Sequence, residues 1–129
     1  MAKKQVLTPP SVHKPTSYSH AVRKGNTLYL AGQVALDPQG SVVGPGDAKA
    51  QTEQIMKNMK AVVEAAGGTI DDVMKVTVYT TSVAYRDDIL AVRNRHFSSG
   101  SLPASTFIVV VGLARPEFLV EIEAIAELG

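Results

Sequence analysis

The chain has 129 residues, a formal net charge of +1 and no cysteine. This length predicts one domain over residues 1–129 and leaves no room for separate cofactor and substrate domains. The absence of cysteine excludes disulfides, thiolate metal sites and cysteine nucleophiles. The near-neutral charge argues against a dedicated nucleic-acid or membrane binder.

The distribution of apolar residues gives no sign of a targeting or membrane segment. The basic N-terminal segment contains an apolar run of only two residues, which is too short for a secretory signal. The longest apolar run, residues 107–111, is far shorter than a membrane span. We therefore expect a cytoplasmic protein with no membrane partner.

The first half of the chain predicts a β-hairpin followed by a long helix. Residues 8–18 are rich in Pro, Ser and Thr and predict an irregular lead-in, and residues 19–34 predict two paired strands. Asp47 is a good N-cap for a helix that the Gly67-Gly68 pair ends. Apolar or small residues recur along this helix at the spacing of one buried stripe: Ala48, Thr52, Ile55, Met59, Val62 and Ala66.

The second half predicts strands at residues 73–83, 106–111 and 118–126, with a helix at residues 85–97. The resulting order, β-β-α-β-α-β-β, indicates an α+β fold in which two helices cover one face of a mixed sheet. Residues 107–111 are all apolar, so alternate side chains of this strand would point to both faces of the sheet. The second face must therefore also be buried. A homo-oligomer, either a ring or a dimer, would provide that cover.

The common catalytic motifs are missing, and the histidines predict no metal site. The chain contains no dinucleotide-binding glycine motif, phosphate-binding P-loop or nucleophile elbow. His13, His20 and His96 do not have the spacing of metal ligands, and neighbouring Ser19 and His20 would point to opposite faces of a strand. This pattern favours histidines at the surface or in an interface.

Two acids inside an apolar strand are the most informative charges. Glu121 and Glu123 alternate with the intervening residues in the same way as Leu119 and Ile125, so all four side chains would point to the same face of the strand. A buried carboxylate is costly unless it is paired or functional. The pattern alone favours an edge strand or a solvated face, and the alternative is a general acid/base whose pKa is raised by apolar surroundings.

Hydroxyls and a glycine at strand positions allow a similar pair of interpretations. Ser105 and Thr106 follow Pro103-Ala104 where a loop enters a strand, so their hydroxyls either bind a ligand or cap the strand. Gly32 interrupts a strand and either marks a bulge or lets another group approach the backbone. The basic residues are diffuse and favour a solvated face over a nucleic-acid patch: Lys3, Lys4, Lys14, Arg23 and Lys24.

Several segments together resemble the RidA/YjgF family, also called the Rid or L-PSP family. They occur in the family's order and cover nearly the whole chain: residues 18–22, 28–33 with 37–38, 65–69 with 71–76, and 102–104 with 120–126. The resemblance implies a chorismate-mutase-like fold and a homotrimer whose sheets line a central barrel, with ligand clefts between subunits. It also implies hydrolysis of reactive enamines and imines to 2-oxo acids and ammonia, without metal or cofactor.

The resemblance assigns roles to individual residues. Glu121 matches the acid that positions or activates water, Tyr18 matches the motif tyrosine, and Gly32 matches the glycine of the cleft backbone. The arginine that clamps the substrate carboxylate follows Pro-Ala in the family, and here that position is Ser105. A hydroxyl does not replace the charge of a guanidinium.

Loss of that arginine indicates a divergent member whose substrate is not a simple 2-imino acid. Ser105, Thr106 and the Gly32 backbone would then hold the polar end of a small C–N metabolite. Arg115 lies in a segment that is one residue longer than usual, and it either reaches the cleft in place of the missing arginine or faces solvent in a turn.

The alternative to hydrolysis is a trimer that binds a small metabolite without catalysis. Endoribonuclease or translation-inhibitor activity ranks last, because a net charge of +1 without an aromatic and basic patch offers poor phosphate capture.

Overall fold

The secondary structure is taken from a computed structural model, which describes residues 3–129. Met1 and Ala2, where the basic N-terminal segment begins, lie outside the described residues. The elements are, in chain order, β1 (Gln5–Leu7), β2 (Ala21–Lys24), β3 (Thr27–Gln33), α1 (Ala48–Ala65), β4 (Val73–Thr80), α2 (Arg86–Arg95), β5 (Ala104–Val109) and β6 (Val120–Glu127). Short 3-10 turns at Ile70–Asp72 and Val83–Tyr85 precede β4 and α2. Within residues 3–129, no helix combines the length and the apolar character that crossing a membrane requires.

The strands form one mixed sheet in the order β1-β2-β3-β6-β4-β5. The pair β4 and β5 is parallel and is connected through α2, whereas the other neighbours are antiparallel. The predicted mixed sheet with two helices is therefore confirmed. The predicted element order is wrong in one respect, because it omits β1, whose Gln5 pairs with Arg23. A strand of three residues is too short to show a period in the sequence.

The boundaries of β4, β5 and β6 differ from the prediction, and at two of them the cause is strand pairing or a turn rather than apolar character. Parallel pairing brings Lys75 opposite Ala104, so β5 begins before the predicted residue 106. β4 ends at Thr80, since the chain then turns through a 3-10 segment whose N-cap, Ser82, accepts a hydrogen bond from the Ala84 amide.

The helix-covered face of the sheet carries the main core. On β6, Val120, Ile122, Ala124 and Ala126 point towards the helices and are buried. They pack in one cluster with residues of the predicted α1 stripe, of which Ile55, Met59 and Val62 have no solvent exposure. The α1 N-cap is confirmed at Asp47, whose carboxylate accepts from the Ala50 amide at 3.1 Å.

The opposite face, called here the open face, has no covering element within the described chain. Its exposed large side chains include Tyr29 and Ile125, which are paired across β3 and β6 and are 52% and 40% exposed. Glu121 and Glu123 also point to this face. Because β6 lies between β3 and β4, the interpretation of these acids as edge-strand residues is wrong.

Candidate active-site cleft

A cleft of about 610 Å³ lies beside the β3–β6 junction. Its walls come from the lead-in before β2, the end of β3, the turn after β3 and the segment before β6. Four of the residues proposed from the sequence line it together: Tyr18, Gly32, Arg115 and Glu121. These side chains come from well-separated parts of the chain, so only folding brings them to one place.

Glu121 lies over the backbone of Gly32. The pairing of β3 with β6 shifts register between Leu30 and Gln33, and Gly32 lies within this irregularity. A Cβ atom at Gly32 would overlap the Glu121 carboxylate. Both interpretations of Gly32 are therefore confirmed, since it lies at a bulge and admits a close approach.

The environment of Glu121 disfavours its charged form. Burial raises the pKa of the Glu121 carboxyl, and the neighbouring carboxylate of Glu123 raises it further. Glu123 is held on the open face, where its Oε2 accepts a hydrogen bond from the Tyr79 hydroxyl at 3.2 Å. A carboxyl with a raised pKa suits proton transfer, because its conjugate base is a stronger base than an ordinary carboxylate.

His13 and His20 form a buried cluster within the chain, so the prediction of surface positions for them is wrong. They are 7% and 0% exposed, and their ring centroids lie 4.6 Å apart. His20 Nε2 donates to the His13 carbonyl at 2.6 Å, and Gln33 Nε2 donates to His20 Nδ1 at 3.3 Å. The irregular segment before β2 has no regular spacing of apolar residues, so its sequence does not predict that these histidines are buried.

The histidine cluster fixes Tyr18 at the cleft. His13 Nε2 lies 2.7 Å from the Tyr18 hydroxyl oxygen in a hydrogen bond, and burial lowers the pKa of His13, with further lowering from His20 and Arg115. Burial and the Glu121 charge raise the pKa of Tyr18, which Arg115 partly opposes. Tyr18 remains 46% exposed, so its phenol is held from behind and is open to a ligand in front.

Arg115 lines the cleft, and the backbone around it is anchored by α1. Its guanidinium lies 5.6 Å from the centroid of the Phe118 ring. The buried Gln51 amide donates to the Glu117 carbonyl at 2.9 Å and accepts from the Leu119 amide at 2.9 Å. Of the two alternatives for Arg115, the structure supports a position at the cleft wall, although the side chain is also exposed.

Ser105 and Thr106 do not line this cleft in the single chain. Ser105 pairs with Val76 and points to the helix side of edge strand β5, where its Oγ accepts from Arg93 Nη1 at 2.7 Å. Thr106 points to the open face, where its hydroxyl oxygen accepts from Lys75. β4 separates β5 from β6, and Ser105 and Glu121 lie on opposite faces of the sheet.

The sequence did contain signals for three residues that the prediction missed. Gln51 and Asn58 are polar residues two turns apart on the buried side of α1, and Asn58 Nδ2 donates to the carbonyls of Val34 and Leu36 at 3.2 and 3.0 Å. Arg93 follows Ile89 by one helical turn, which puts it on the buried side of α2. Polar residues on the buried side of a helix therefore mark side chains that anchor other segments, and those of Gln51 and Asn58 anchor the cleft walls.

Comparisons with known proteins agree over nearly the whole chain. A family model described as endoribonuclease L-PSP matches residues 10–128. A RutC family protein of Pyrococcus horikoshii is 40% identical over 124 residues, which make up 95% of this chain and 97% of that protein. A solved structure of a Rid family protein of unknown function from Yersinia pestis matches with a TM-score of 0.92 at 30% identity, covering 98% of this chain and 100% of that one. The structure of E. coli TdcF with bound serine matches with a TM-score of 0.86 at 25% identity, covering 97% and 99% of the two chains.

Proposed function

The chain belongs to the RidA/YjgF (Rid, L-PSP) family, and we propose that it hydrolyses a small reactive enamine or imine to a carbonyl product and ammonia. One observation carries the proposal. The half-buried Glu121 carboxylate, with its raised pKa, lies over the Gly32 backbone in a cleft that also holds Tyr18 and Arg115. This set combines a proton acceptor, a phenolic donor and a cation around a space of small-metabolite size.

The reaction needs only proton transfers and water. Glu121 takes a proton from water as its oxygen adds to the C=N carbon, and the nitrogen gains a proton. The resulting carbinolamine loses ammonia as the C–N bond breaks, and the hydroxyl proton leaves to form the C=O bond. One imine and one water thus give one carbonyl compound and one ammonia. Tyr18 and the Gly32 backbone would orient the ligand, and an enamine enters the same route after protonation at carbon.

The proposed site is shared between subunits of a homotrimer. Proteins of this family are typically homotrimers. The open face with Tyr29 and Ile125 supports burial against another copy, because a sheet face of this kind is costly to leave in water. The positions of Ser105 and Glu121 support the same assembly. They lie on opposite faces of the sheet, so a ligand contacting both would need one of them from a neighbouring subunit.

The proposed substrate is a metabolite of amino-acid size, and simple 2-imino acids are not its preferred form. The family's clamping arginine is replaced by Ser105, which favours a ligand that does not require a bidentate grip. The E. coli relative with bound serine supports a ligand of this size.

The first test is accelerated hydrolysis of 2-iminobutanoate and 2-iminopropanoate generated in situ. We expect slow turnover of these non-preferred 2-imino acids by the wild type and a loss of about 100-fold or more in Glu121→Gln, since the general base is removed while the shape is kept. Glu127→Gln is the matched control, because Glu127 lies on the same strand but is exposed and accepts from Thr27 Oγ1 at 2.8 Å. Unchanged turnover in Glu121→Gln would contradict the mechanism.

The second candidate is a trimer that binds a small metabolite without turning it over. The replacement of the clamping arginine by Ser105 is the observation that favours it. Calorimetric binding of serine or a 2-oxo acid, with no hydrolysis of any imine or enamine tested, would support this candidate over the hydrolase.

A further inference from the structure

The hydrogen bond between His13 and Tyr18 has two possible directions. His13 Nε2 and the Tyr18 hydroxyl oxygen lie 2.7 Å apart at the wall of the cleft. Either the Tyr18 O–H donates to a bare Nε2, or an Nε2–H donates to the Tyr18 oxygen. In the first case Tyr18 offers the cleft only lone pairs, and in the second case its own proton is free to be donated to a ligand.

The other ring nitrogen of His13 distinguishes the two directions. His13 Nδ1 is buried from solvent, and no residue within 3–129 offers it a hydrogen-bond partner. Burial lowers the pKa of His13, with further lowering from His20 and Arg115, so at neutral pH the ring carries one N–H. An N–H at Nδ1 would be a buried donor without an acceptor, which is the rarer defect in native proteins. The N–H therefore lies at Nε2 and donates to the Tyr18 oxygen.

A buried network holds His13 in this position. His20 Nε2 donates to the His13 carbonyl at 2.6 Å, and Gln33 Nε2 donates to His20 Nδ1 at 3.3 Å and to the Ala31 carbonyl at 3.1 Å. Neither His20 nor Gln33 has any solvent exposure. Ala31 lies in the irregular part of β3 between Leu30 and Gln33, so the same hydrogen bonds hold both this bulge and the His13 segment.

We propose that His13 is a positioning residue, which directs the Tyr18 hydroxyl proton into the cleft and so selects ligands that present a lone pair to it. The nitrogen of a neutral imine and the oxygen of its carbonyl product both present one. A hydrogen bond to the imine nitrogen draws electrons from the carbon to which water adds. Burial and the Glu121 charge raise the pKa of Tyr18, which keeps the phenol protonated, as a donor must be. The inference deepens the proposed function and rests on it for the identity of the ligand.

The first measurement is the tautomer of His13. Long-range proton–nitrogen correlation NMR of the isotope-labelled wild type reports which ring nitrogen of each histidine carries hydrogen. We expect N–H at Nε2 and a bare Nδ1 for His13, whose signals are assigned by their loss in His13→Gln. His20 is the internal reference, because its Nε2 faces a carbonyl oxygen, which only accepts. An N–H at Nδ1 of His13 overturns the proposal, whatever the protein turns over.

Two substitutions of His13 then measure what the hydrogen bond contributes to activity. Gln places an amide N–H near the position of the histidine Nε2, whereas Leu fills similar space without a donor. We expect kcat for 2-iminobutanoate to fall about tenfold in His13→Leu and to stay within about threefold of the wild type in His13→Gln. In Tyr18→Phe, His13→Leu should cause no further loss, since the oxygen that His13 supports is gone. His96→Gln is the matched control, because His96 pairs with Glu53 and does not line the cleft.

The outcomes separate this inference from the hydrolase. The proposal is overturned if His13→Leu keeps full activity, if both His13 variants lose activity equally, or if the loss persists in Tyr18→Phe, since His13 would then act through packing alone. If the wild type shows no turnover, calorimetric binding of 2-oxobutanoate replaces kcat. Weaker binding in His13→Leu, restored in His13→Gln, would then support the directed donor and reject only the hydrolase. A wild type that neither turns over an imine nor binds the 2-oxo acid overturns both proposals. The tautomer is measured in the wild type, so it decides the outcome even if His13→Leu does not fold.

Discussion

The two faces of β6 differ in almost every physical property although their residues alternate along one strand. Towards the helices, the side chains are apolar and fully buried; towards the open face, they are carboxylates and an exposed isoleucine. The first face stabilises the folded chain, and the second supplies Glu121 to the cleft. The comparison shows how a central strand can position a carboxyl accurately, because its buried face fixes the register of its functional face.

The largest effect is expected from the buried face. Ile122 has no solvent exposure and packs in the main core, so Ile122→Ala should lower the free energy of unfolding by about 2–5 kcal/mol. Urea denaturation followed by circular dichroism measures this change. Glu127→Gln, on the same strand but exposed, should change it by less than about 0.5 kcal/mol. If Ile122→Ala lowered the free energy of unfolding by less than about 1 kcal/mol, the buried face would not be the one that stabilises the fold.

The next effect tests the approach of Glu121 to Gly32. In Gly32→Ala, the added Cβ would displace the carboxylate, so turnover should fall about 100-fold while the protein remains folded. Gly112→Ala is the control, since nothing lies within 4 Å of a Cβ at that position. Steady-state kinetics and thermal melting of both variants measure the difference. Full activity in Gly32→Ala would show that the close approach has no catalytic role.

A substitution on the open face should change the oligomeric state of the protein rather than its folding. Ile125→Lys places a charge on the surface that is proposed to pack against another copy, and we expect dissociation to folded monomers at micromolar concentration. Sedimentation velocity measures the species present. Val83→Lys replaces another exposed hydrophobic residue, 66% exposed and outside the sheet, and should leave the assembly intact. A wild type that sediments as a monomer contradicts the proposed trimer directly.

The smallest effect is a shift in pH dependence. Glu123 is the second cause of the raised pKa of Glu121, after burial. Glu123→Gln should therefore lower that pKa. Because Glu121 acts in its ionised form, the acid limb of the rate profile should move to lower pH by the same amount. If the acid limb of the rate profile moves to higher pH or does not move, a group other than Glu121 determines it.

Regular periodicity made most of the fold predictable. The α1 stripe, its Asp47 cap and the alternating faces of β4 and β6 all follow from local patterns that the packed structure retains. β1 was missed because its three residues are defined by pairing with β2 rather than by any pattern of their own.

The candidate site was only partly predictable, because its contacts join segments far apart in sequence. Motif resemblance identified Tyr18, Gly32 and Glu121, which the fold brings to one cleft. It could not identify His13, which is held by contacts made inside an irregular segment. The link from Arg93 to Ser105 depends on the crossover between β4 and β5, which brings together two positions that no local pattern connects.

The amides of Gln51 and Asn58 have a consequence for how the cleft can change. Both side chains bond to main-chain atoms of the segments that form its walls, at Glu117, Leu119, Val34 and Leu36. A main-chain partner is present whatever side chain the wall residue carries. Single residues facing the ligand can therefore be substituted while the backbone of the cleft walls keeps its conformation. A change in ligand preference then requires no change in the fold.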